Sequence, residues 1–536
     1  MDQHASPSSA QEPAGLIRTA DVLGALSAAS DLALGMPEGH AARSCYLGMA
    51  IADRLNLSAE EKATVYYSEL LMDAGCTSWA GYVATAIMGD EIEARRDFYF
   101  YRDARNPLDV LGWLQHYMAV GAPAHVRAKH ILDFSMHGKE FQREGLQNTA
   151  EVACHFAERL GMSDEVQVAL WSVFEQWDGT GPNRARGSAI PIASRIVAVT
   201  SLLEAFYTAG GRTAAVGIAQ ARRGKAFDPL LVESFLSLAR DEAFWGGFED
   251  DRVGETVLSL EPASPHRLLP AKRLTDVAMA FADFADLKSF STPGHSRRVS
   301  DLAARIAYRM LGEGEVETVR LAGLTHDLGL VAVPSFVLHK SQEELSAAEW
   351  ERLRLHPYHA ERILGRMPTF RAVIPLVGAH HERLDGRGYY RGLTGLQIPP
   401  GARILAVADR YDELTHGLPG HPPLESRSAL EQLYVDAGTA YAEDCVRSLE
   451  EELRSDAPSK GGARGPRQRQ WPSGLTSREV ELLRLLAGGL SRREVATQLF
   501  LSEHTVRHHL EHIYDKIGVR TRVAATLFAV EHDLLK

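Results

Sequence analysis

Apolar residues recur at helical spacing along most of this chain. In the segment that begins at His40 they fall at Leu47, Ile51 and Leu55. The same spacing recurs in the segment that begins at His295. Spacings of three, four and seven residues place side chains on one face of an α-helix. Alternating runs rich in β-branched residues are few. The pattern therefore predicts an all-α protein.

Breaks in this helical pattern divide the chain. Prolines interrupt it once, and a polar, basic stretch rich in glycine and proline, typical of a flexible tether, interrupts it again. The predicted units are a disordered tail, a first helical domain, a linker, a second helical domain, a basic flexible linker and a C-terminal module, at residues 1–15, 16–255, 256–270, 271–455, 456–472 and 473–536.

The two large helical domains repeat one another. Glu-Arg-Leu-Asp-Gly-Arg-Gly at 382–388 parallels Glu-Gln-Trp-Asp-Gly-Thr-Gly at 175–181. The Ile-Pro segment at 398–407 parallels the one at 190–199, with an arginine at the same place in both. A repeat of this length predicts that the two domains are duplicates of one fold.

Composition narrows the class of protein. The 536 residues are 45% hydrophobic with a net charge of −12, which argues against a chain that coats nucleic acid or membrane along its whole length. No apolar run reaches the roughly 18 residues that span a bilayer, and no secretory signal is visible. The cysteines are scattered and are interpreted as small core residues in a reducing compartment, so the cytoplasm is expected: Cys45, Cys76, Cys154 and Cys445.

The second domain collects histidines and aspartates beside apolar runs. They are His295, His326, Asp327, His356, His380, His381 and Asp409. His295 shares a helical face with Val299, Leu302 and Ile306, which predicts that it points inward. Imidazole with carboxylate suits Fe or Mn and tolerates Zn. Seven such groups exceed the needs of one tetrahedral ion, so two divalent ions sharing Asp327 are predicted, a pairing suited to phosphate-ester hydrolysis.

The same motifs resemble a known family. His326-Asp327, the run His-His-Glu-Arg-x-Asp-Gly-x-Gly-Tyr at 380–389 and Ala408-Asp409 are similar to the HD-GYP branch of the metal-dependent HD phosphohydrolases, over roughly residues 275–455. That family is all-α and typically hydrolyses cyclic di-GMP at a di-iron or di-manganese centre. The resemblance implies that the seven residues are metal ligands, that Asp327 bridges the ions and that His326 and Asp327 are catalytic. It implies substrate contacts at Arg383, Asp385, Gly388 and Tyr389.

The chain departs from the family where substrate is expected to bind. Leu330 stands where the family usually has lysine, and loss of such a cation typically costs a few kcal/mol of transition-state stabilisation. Tyr390 replaces the proline of Gly-Tyr-Pro, and the Arg-Pro-Tyr expected after residue 415 is absent. Ser291 occupies the position of a glutamate that can hold a third metal. These departures predict two metals and weakened contacts to a cyclic dinucleotide.

The first domain departs further. His40 and Asp73 match the repeat, but other ligand positions carry Met72, Val173, Phe174 and Ser201. Apolar side chains cannot hold a metal ion, so residues 16–255 are predicted to be a degenerate, non-catalytic HD-like copy. Sensing a ligand, dimerising and buttressing the second domain all remain open as its role.

The C-terminal module has four predicted helices with marked starts. Capping boxes begin at Thr476 and Ser491, and Ser502 caps the third helix. That helix presents Val506, Leu510, Ile513 and Ile517 on one face. The opposite, polar face suits insertion into a DNA major groove and carries Glu503, His504, Arg507, His508 and Glu511.

The motifs of this module resemble the LuxR-type (GerE) helix-turn-helix. They are Leu-Thr-x-Arg-Glu at 475–479, Ala-x-Gly-Leu-Ser at 487–491, Leu-Ser-x-x-Thr-Val-Arg-x-His at 501–509 and Lys-Ile-Gly-Val-Arg at 516–520. The resemblance implies promoter DNA as a partner and pairing through the fourth helix, 521–530, so a homodimer is expected. The predicted DNA contacts are Arg492, Arg493, Ser502, His504, Thr505, Arg507, His508, Lys516 and Arg520.

Two functions fit these observations. The complete metal set favours a phosphodiesterase, active on a cyclic dinucleotide such as cyclic di-GMP, that is coupled to DNA binding. Leu330 and the missing arginine favour a transcription factor without enzymatic activity, whose HD-like domains bind a nucleotide or another ligand as a sensor.

Overall fold

A computed structural model describes residues 16–101, 106–262, 267–455 and 471–535. The predicted disordered tail at 1–15 and residues 456–470 of the predicted basic linker lie outside these ranges. Twenty-six α-helices and one pair of short strands occur among the described residues. The prediction of an all-α fold is confirmed.

Twelve helices build the first large domain. They are α1 Thr19–Leu34, α2 His40–Arg54, α3 Ala59–Leu71, α4 Ala80–Ile87, α5 Glu91–Tyr101, α6 Pro107–Tyr117, α7 Ala124–Arg159, α8 Asp164–Trp171, α9 Ile192–Arg222, α10 Pro229–Leu238, α11 Glu242–Phe248 and α12 Val253–Ser259. The last of these lies partly within the range predicted as a linker.

Ten helices build the second large domain, and four build the C-terminal module. The second domain contains α13 Leu274–Asp286, α14 His295–Leu311, α15 Glu313–Thr325, α16 Ser335–Leu338, α17 Ala347–Arg354, α18 His356–Leu364, α19 Ile374–Val377, α20 Pro400–His416, α21 Ser426–Val435 and α22 Glu443–Ser455. The module contains α23 Ser477–Ala487, α24 Arg492–Leu499, α25 Glu503–Ile517 and α26 Arg522–Glu531.

The two large domains share one core. Strand β1, Leu16–Arg18, pairs antiparallel with β2, Leu268–Pro270, and so joins the start of the first domain to the start of the second. A continuous cluster of buried apolar side chains extends from Ile17 through both domains to Leu449. The C-terminal module has a core of its own, around Leu482, Val495 and Ile513. The two large domains therefore form one body on which a smaller unit is placed.

Local sequence signals account for several helix starts. Helices α2 and α14 both begin directly after a glycine with positive φ, Gly39 at +86° and Gly294 at +73°, a backbone conformation that favours glycine. The predicted capping boxes at Thr476 and Ser491 and the predicted cap at Ser502 are confirmed. His295, which the pattern places on the buried face of its helix, is buried.

One helix in the described part of the chain, α9, has the length and composition of a helix that could cross a membrane. Of its most apolar window, 56% is buried inside the protein. Its backbone leaves the helical conformation at Gly210 and Gly211, and Ile196, Val197 and Leu203 belong to the core of the first domain. These features are those of a core helix.

Candidate metal centre and DNA-binding module

The seven histidines and aspartates singled out in the second domain lie together at one end of its helices. His295 and His356 are the first residues of α14 and α18, His326 and Asp327 directly follow α15, and Asp409 lies within α20. His380 and His381 follow α19. All are buried except His381, which is partly exposed. Elements far apart in the chain therefore present their ligand-type atoms to one common point.

Asp327 lies at the centre of this cluster, and its two oxygens face different partners. Oδ2 is 3.5 Å from His295 Nε2 and 3.4 Å from His326 Nε2. Oδ1 is 3.4 Å from His356 Nε2 and 3.8 Å from His380 Nε2. One carboxylate thus stands between two groups of imidazoles, which is the arrangement of a residue that bridges two ions.

Two further residues complete the two groups. Asp409 Oδ1 lies 3.2 Å from His295 Nε2 and 3.6 Å from His326 Nε2, on the side of Asp327 Oδ2. On the other side, His381 joins Asp327, His356 and His380, and the ligand atoms of these four lie within 4.8 Å of one another. Each side therefore offers four nitrogen or oxygen ligand atoms.

The imidazole rings are oriented by the bonds of their far nitrogens. The Nδ1 atoms of His326, His356 and His380 donate to the backbone carbonyls of Gly323, Leu353 and Val377, at 2.8, 2.8 and 2.6 Å. A ring that donates its proton through Nδ1 presents a bare lone pair at Nε2, which is the usual state of a histidine metal ligand. The backbone thus prepares these rings for a cation.

Two pairs of Nε2 atoms also face each other directly. His295 and His326 approach to 3.3 Å, and His356 and His380 approach to 3.1 Å. For His356 and His380 both far nitrogens already donate, so two acceptors would face each other with no proton between them. A cation between them removes this conflict, so the residues fit a metal centre.

Electrostatics favour the ligand form of several groups. Burial alone would raise the pKa of Asp327, but His326 and its other imidazole neighbours hold that pKa well below its ordinary value. Burial, with the neighbouring histidines, lowers the pKa of His380, and burial lowers that of His381 to about 4. The carboxylate is therefore charged and these two imidazoles are neutral at physiological pH. Against the effect of burial, Asp409 raises the pKa of His295 and Asp327 raises the pKa of His326 to about 9, so a metal ion would have to displace a proton from each of these two rings.

The glycine of the His-Asp-x-Gly motif has a steric role. A Cβ atom added to Gly329 would overlap the backbone carbonyl of His356. Only glycine permits this close approach, which brings the short 3₁₀ helix Leu328–Ala332 against α18 and sets Asp327 beside His356.

Two residues that the sequence analysis missed hold His295 in place. Its Nδ1 lies 2.8 Å from Asp412 Oδ2, and Arg298 donates to both oxygens of Asp412 at 2.8 and 2.9 Å. Asp412 follows Asp409 by three residues and Arg298 follows His295 by three. The signal that could have found them is the repeat, because Glu204 and Arg43 occupy the matching positions of the first domain.

A large polar cavity of about 1200 Å³ opens onto the metal cluster. Of the predicted substrate contacts, Arg383, Gly388 and Tyr389 line it, whereas Asp385 does not and instead pairs with Arg383 at 2.9 Å. Leu330 is part of the wall. The cations that line the cavity are Arg298, Lys340, Arg354, Arg383, Arg387, Arg391 and Arg410.

Most of these cations already have carboxylate partners, with Lys340 on Glu349 at 2.6 Å as an example. Among the described residues, no carboxylate lies within ion-pair distance of Arg387, whose side chain is exposed on the wall. Tyr390, at the position of the family's proline, donates its hydroxyl proton to Glu361 Oε2 at 2.6 Å. The cavity therefore combines fixed ion pairs with one arginine that remains available.

The first domain keeps the surroundings of this centre but, apart from His40 and Asp73, not its ligands. His40 pairs with Glu204, and Arg43 donates to the same carboxylate at 2.6 Å, as His295, Arg298 and Asp412 do in the second domain. The position that matches His356 is Thr149, since Gly75 approaches its backbone as Gly329 approaches that of His356. None of the ligand-type clusters found among the described residues lies within this domain alone.

A buried ion pair joins the two large domains beside the metal cluster. Glu91 at the start of α5 lies 3.2 Å from the ammonium of Lys288 and accepts from the Ser335 backbone at 2.8 Å. Lys288 also donates to the Val331 carbonyl at 3.0 Å, just after the Asp327 segment. Both charged side chains are fully buried. The first domain thus contributes directly to the loops that carry His295 and Asp327.

The C-terminal module presents its third helix, α25, to solvent. His504, Arg507 and His508 are exposed, and 59% of the Arg507 side chain is accessible. Ser502 and Thr505 bond each other at the start of the helix, where Ser502 also accepts from the Thr505 backbone. Val506, Leu510 and Ile513 are buried on the opposite face. Its outward face is the one that the sequence assigns to the major groove.

Several predicted phosphate contacts have other partners in this structure. Arg492 pairs with Glu144 of α7 at 2.9 Å, and Lys516 pairs with Glu479 inside the module at 2.8 Å. The guanidinium of Arg520 lies over the ring of Trp171. Arg493 is exposed. The arginines on the side of α7 are therefore engaged by the large body.

The comparisons with known proteins agree with this geometry. A model of the HD domain family matches residues 139–231 and 280–444, one segment in each large domain. The 3'3'-cGAMP-specific phosphodiesterase 3 of Vibrio cholerae is 30% identical over 431 residues, which cover 80% of this chain and 93% of that protein. This chain belongs to the HD-GYP phosphodiesterases.

A second relative and a solved structure are also similar to this chain. The cyclic di-GMP phosphodiesterase response regulator RpfG of Xanthomonas campestris is 33% identical over 207 residues, which cover 38% of this chain and 54% of that protein. The crystal structure of a cyclic GMP-AMP specific phosphodiesterase of Vibrio cholerae (V-cGAP3) superposes with a TM-score of 0.57 and 26% identity, covering 82% of this chain and 98% of that one.

The C-terminal module matches the bacterial regulatory proteins of the luxR family over residues 473–529. The chain is thus a metal-dependent HD-GYP phosphohydrolase with a LuxR-type DNA-binding domain.

Proposed function

We propose that this chain hydrolyses a cyclic dinucleotide in the cavity of its second domain and binds promoter DNA through its C-terminal module, in the cytoplasm. The observation that carries the first half is the position of Asp327. Its carboxylate stands between two sets of histidines, at the floor of a cavity large enough for a dinucleotide.

The residues divide into two ligand sets for two divalent ions, with Fe or Mn favoured by the mixture of imidazole and carboxylate. One set is His295, His326, Asp327 and Asp409, and the other is Asp327, His356, His380 and His381. Bound ions of this kind polarise phosphoryl oxygens and make water nucleophilic at neutral pH.

The remaining residues bind and orient the substrate. Hydrolysis adds one water across a P–O bond, so that phosphorus gains the hydroxyl and the departing ribose oxygen gains the proton. Arg387 is positioned to pair with a phosphate, because it lines the cavity and no carboxylate of the described residues lies within ion-pair distance of it, although Asp385 attracts it at longer range. Leu330 offers no charge where the family usually has lysine, so we assign the pairing with a substrate phosphate to Arg387, another residue of the cavity wall.

The first substrate to test is 3'3'-cGAMP. The relative that aligns with both large domains carries that specificity in its name, and so does the solved structure that superposes along most of the body. RpfG, which is named for cyclic di-GMP, aligns with a shorter part of the chain. We rank cyclic di-GMP second for this reason.

The assay uses the full chain loaded with Fe(II) or Mn(II) and offered 3'3'-cGAMP, cyclic di-GMP and a generic phosphodiester, with the linear products separated by chromatography. We expect turnover of a cyclic dinucleotide and its loss in Asp327→Ala, by about a thousandfold or more, since metal ions supply several kcal/mol. Turnover of the wild-type chain no faster than that of Asp327→Ala would overturn the proposal.

The DNA half of the proposal rests on α25. Its exposed face carries Arg507, and an arginine contact to a base is worth about 1–3 kcal/mol. LuxR-type modules read two half-sites, so we propose that the chain acts as a homodimer on DNA.

The probe is a duplex enriched by the full chain from a randomised library, and binding is followed by fluorescence anisotropy. Arg507→Ala should weaken binding by about tenfold or more. Glu481→Ala, which changes an exposed carboxylate of α23, serves as the control. Equal affinity of the wild-type chain and Arg507→Ala would count against α25 as the recognition helix.

A further inference from the structure

Helix α26, the last helix of the C-terminal module, is buried on two sides. Ala525 and Ala529 face the core of the module itself. Val523 and Leu527, with 2% and 1% of their surface exposed, belong instead to the core of the two large domains. The outer face of α26, which we define as Val523, Leu527 and Val530, is therefore covered by the body of the enzyme.

The contact surface on the body is mainly α7. The Val523 backbone donates to Asn148 Oδ1 at 3.2 Å, and the Arg520 backbone donates to Glu151 at 2.7 Å. Arg492 pairs with Glu144 at 2.9 Å on the same helix. Polar contacts thus surround the apolar ones, as in an interface between separate proteins.

A second contact lies beside the catalytic cavity. The ring of Phe290 approaches the module so closely that a Cβ on Gly489 would lie 2.7 Å from it, and Val530 packs against Gly294. The neighbours Ser289, Ser291 and Thr292 line the cavity on the other side of the same loop. Gly294 directly precedes His295. The loop at 289–294 therefore touches both the docked module and the site of chemistry.

Docking of the module leaves exposed the face of α25 that is assigned to DNA bases. Arg507 and its neighbours on α25 are exposed in the docked chain. The hidden part of α26 is apolar, with residues four and seven positions apart, so it forms one stripe along the helix, and the predicted phosphate contacts Arg492 and Arg520 are engaged beside it. Two copies of a helix-turn-helix module that read adjacent half-sites pair through the same face on each copy.

We propose that docking on α7 restrains the C-terminal module, because in the free chain the first domain occupies the outer face of α26, the helix through which the LuxR-type resemblance implies that two copies pair on DNA. Docking and pairing then exclude each other, because Val523 and Leu527 cannot contact α7 and a second module together. A docked chain reads one half-site with a single module, and a released chain pairs and binds two. This inference rests on the proposed function of the module as a DNA-binding homodimer.

Charge reversal on the body side separates docking from pairing. Glu144→Lys/Glu151→Lys places positive charges opposite Arg492 and Arg520 and leaves the module unchanged. The matched control is Glu140→Lys/Glu158→Lys, which makes the same charge change at exposed positions of the same helix. The control corrects for the attraction of added lysines to DNA.

We expect the docking variant to bind the enriched duplex about tenfold or more tighter than the control, since release raises the fraction of binding-competent chain. Sedimentation should show two copies on the duplex at lower concentration. Amide exchange in α26 should become faster in the free docking variant, and addition of duplex to the wild-type chain should speed exchange at residues 144–151. Leu527→Asp should be released in the same way but bind as a single copy.

Equal affinity and equal exchange in the docking variant and its control would overturn the proposal. So would unchanged exchange at 144–151 on saturation of the wild-type chain with DNA. These outcomes differ from failure of the DNA-binding function itself, in which Arg507→Ala and the wild-type chain give the same weak binding. Tight binding of Leu527→Asp as a pair would show that another surface joins the copies.

Discussion

The two large domains of this protein keep the same framework and differ at the centre of it. In the first, His40, Arg43 and Glu204 form the contacts that His295, Arg298 and Asp412 form in the second. Both domains start the relevant helix after a glycine with positive φ. At the matching ligand positions, the first domain carries Met72, Thr149, Val173, Phe174 and Ser201.

This difference separates what the fold needs from what the chemistry needs. The contacts that orient the first histidine persist in a domain in which most of the matching ligand positions carry other residues, so these contacts do not require a complete set of ligands. The ligand positions accept apolar or small polar residues without loss of the fold. The framework of the two domains therefore does not depend on the full set of ligand-type residues.

In the first domain, several buried titratable groups have raised pKa values, which favour their protonated forms. Burial raises the pKa of Asp31 to about 7 and that of Glu69 to about 8, although nearby His40 acts against both shifts. Burial alone would lower the pKa of His40, but Glu204 raises it to about 9. In the second domain, by contrast, neighbouring histidines overcome burial and lower the pKa values of the central carboxylates Asp327 and Asp409.

The largest expected effect concerns the ion pair that joins the two domains. Glu91→Ala leaves Lys288 as a buried charge without its carboxylate, which typically costs about 3–5 kcal/mol. We expect the free energy of unfolding in urea to fall by this amount. The metal content should fall as well, because Lys288 and Ser335 flank the segments that carry His295 and Asp327. Glu93→Ala, at an exposed position of the same helix, should change neither quantity. A Glu91→Ala chain as stable as Glu93→Ala would show that the two domains are energetically independent here.

The next effect follows from the protonated state of Glu69. In the unfolded chain this carboxyl loses its proton near pH 4.5, but in the folded chain only near pH 8. The folded state binds the extra proton between these values, so stability falls as the pH rises through this window. From about pH 6 to about pH 8, one such group lowers the free energy of unfolding by about 2–3 kcal/mol.

Glu69→Gln removes that titration while keeping a side chain that resembles the protonated acid. Unfolding free energies measured over the same pH range should therefore depend less steeply on pH in the variant. Asp31 and His40 have raised pKa values and act in the same direction, so part of the dependence should persist. Parallel pH profiles for the two chains would mean that Glu69 is ionised in the folded protein.

The smallest effect compares the carboxylates that hold the first histidine in each domain. Asp412→Asn weakens the hold on His295, and loss of such an outer partner typically costs about 10–100-fold in metal affinity or activity. Glu204→Gln makes the matching change in the first domain and should leave kcat/KM unchanged. Metal titration by calorimetry and steady-state kinetics give both readouts. An equal loss of activity in the two variants would mean that the first domain takes part in the chemistry.

Much of the fold could be predicted from the sequence because its signals are local. Helical spacing, the glycines before α2 and α14, and the capping boxes at Thr476 and Ser491 each act within a few residues. The seven histidines and aspartates of the second domain lie together in the structure, and their role as ligands stays a prediction.

The contacts that were missed join distant parts of the chain. Glu91 and Lys288 have no common spacing or motif, and only the folded body brings them together. The docking of α26 on α7 was hidden for a related reason, since Val523 and Leu527 have the apolar pattern of any helix with a buried face. Asp385 was placed by resemblance among the substrate contacts; in the structure it pairs with Arg383, which lines the cavity, and is not itself part of the wall.

The loop at 289–294 connects the proposed substrate cavity to the docked module. It contacts the cavity on one side and the docked module on the other. Whatever factor a bound nucleotide applies to the affinity for DNA, bound DNA must apply to the affinity for the nucleotide. If occupancy of the cavity changes docking through this loop, promoter DNA also acts as an effector that sets how tightly the nucleotide is held.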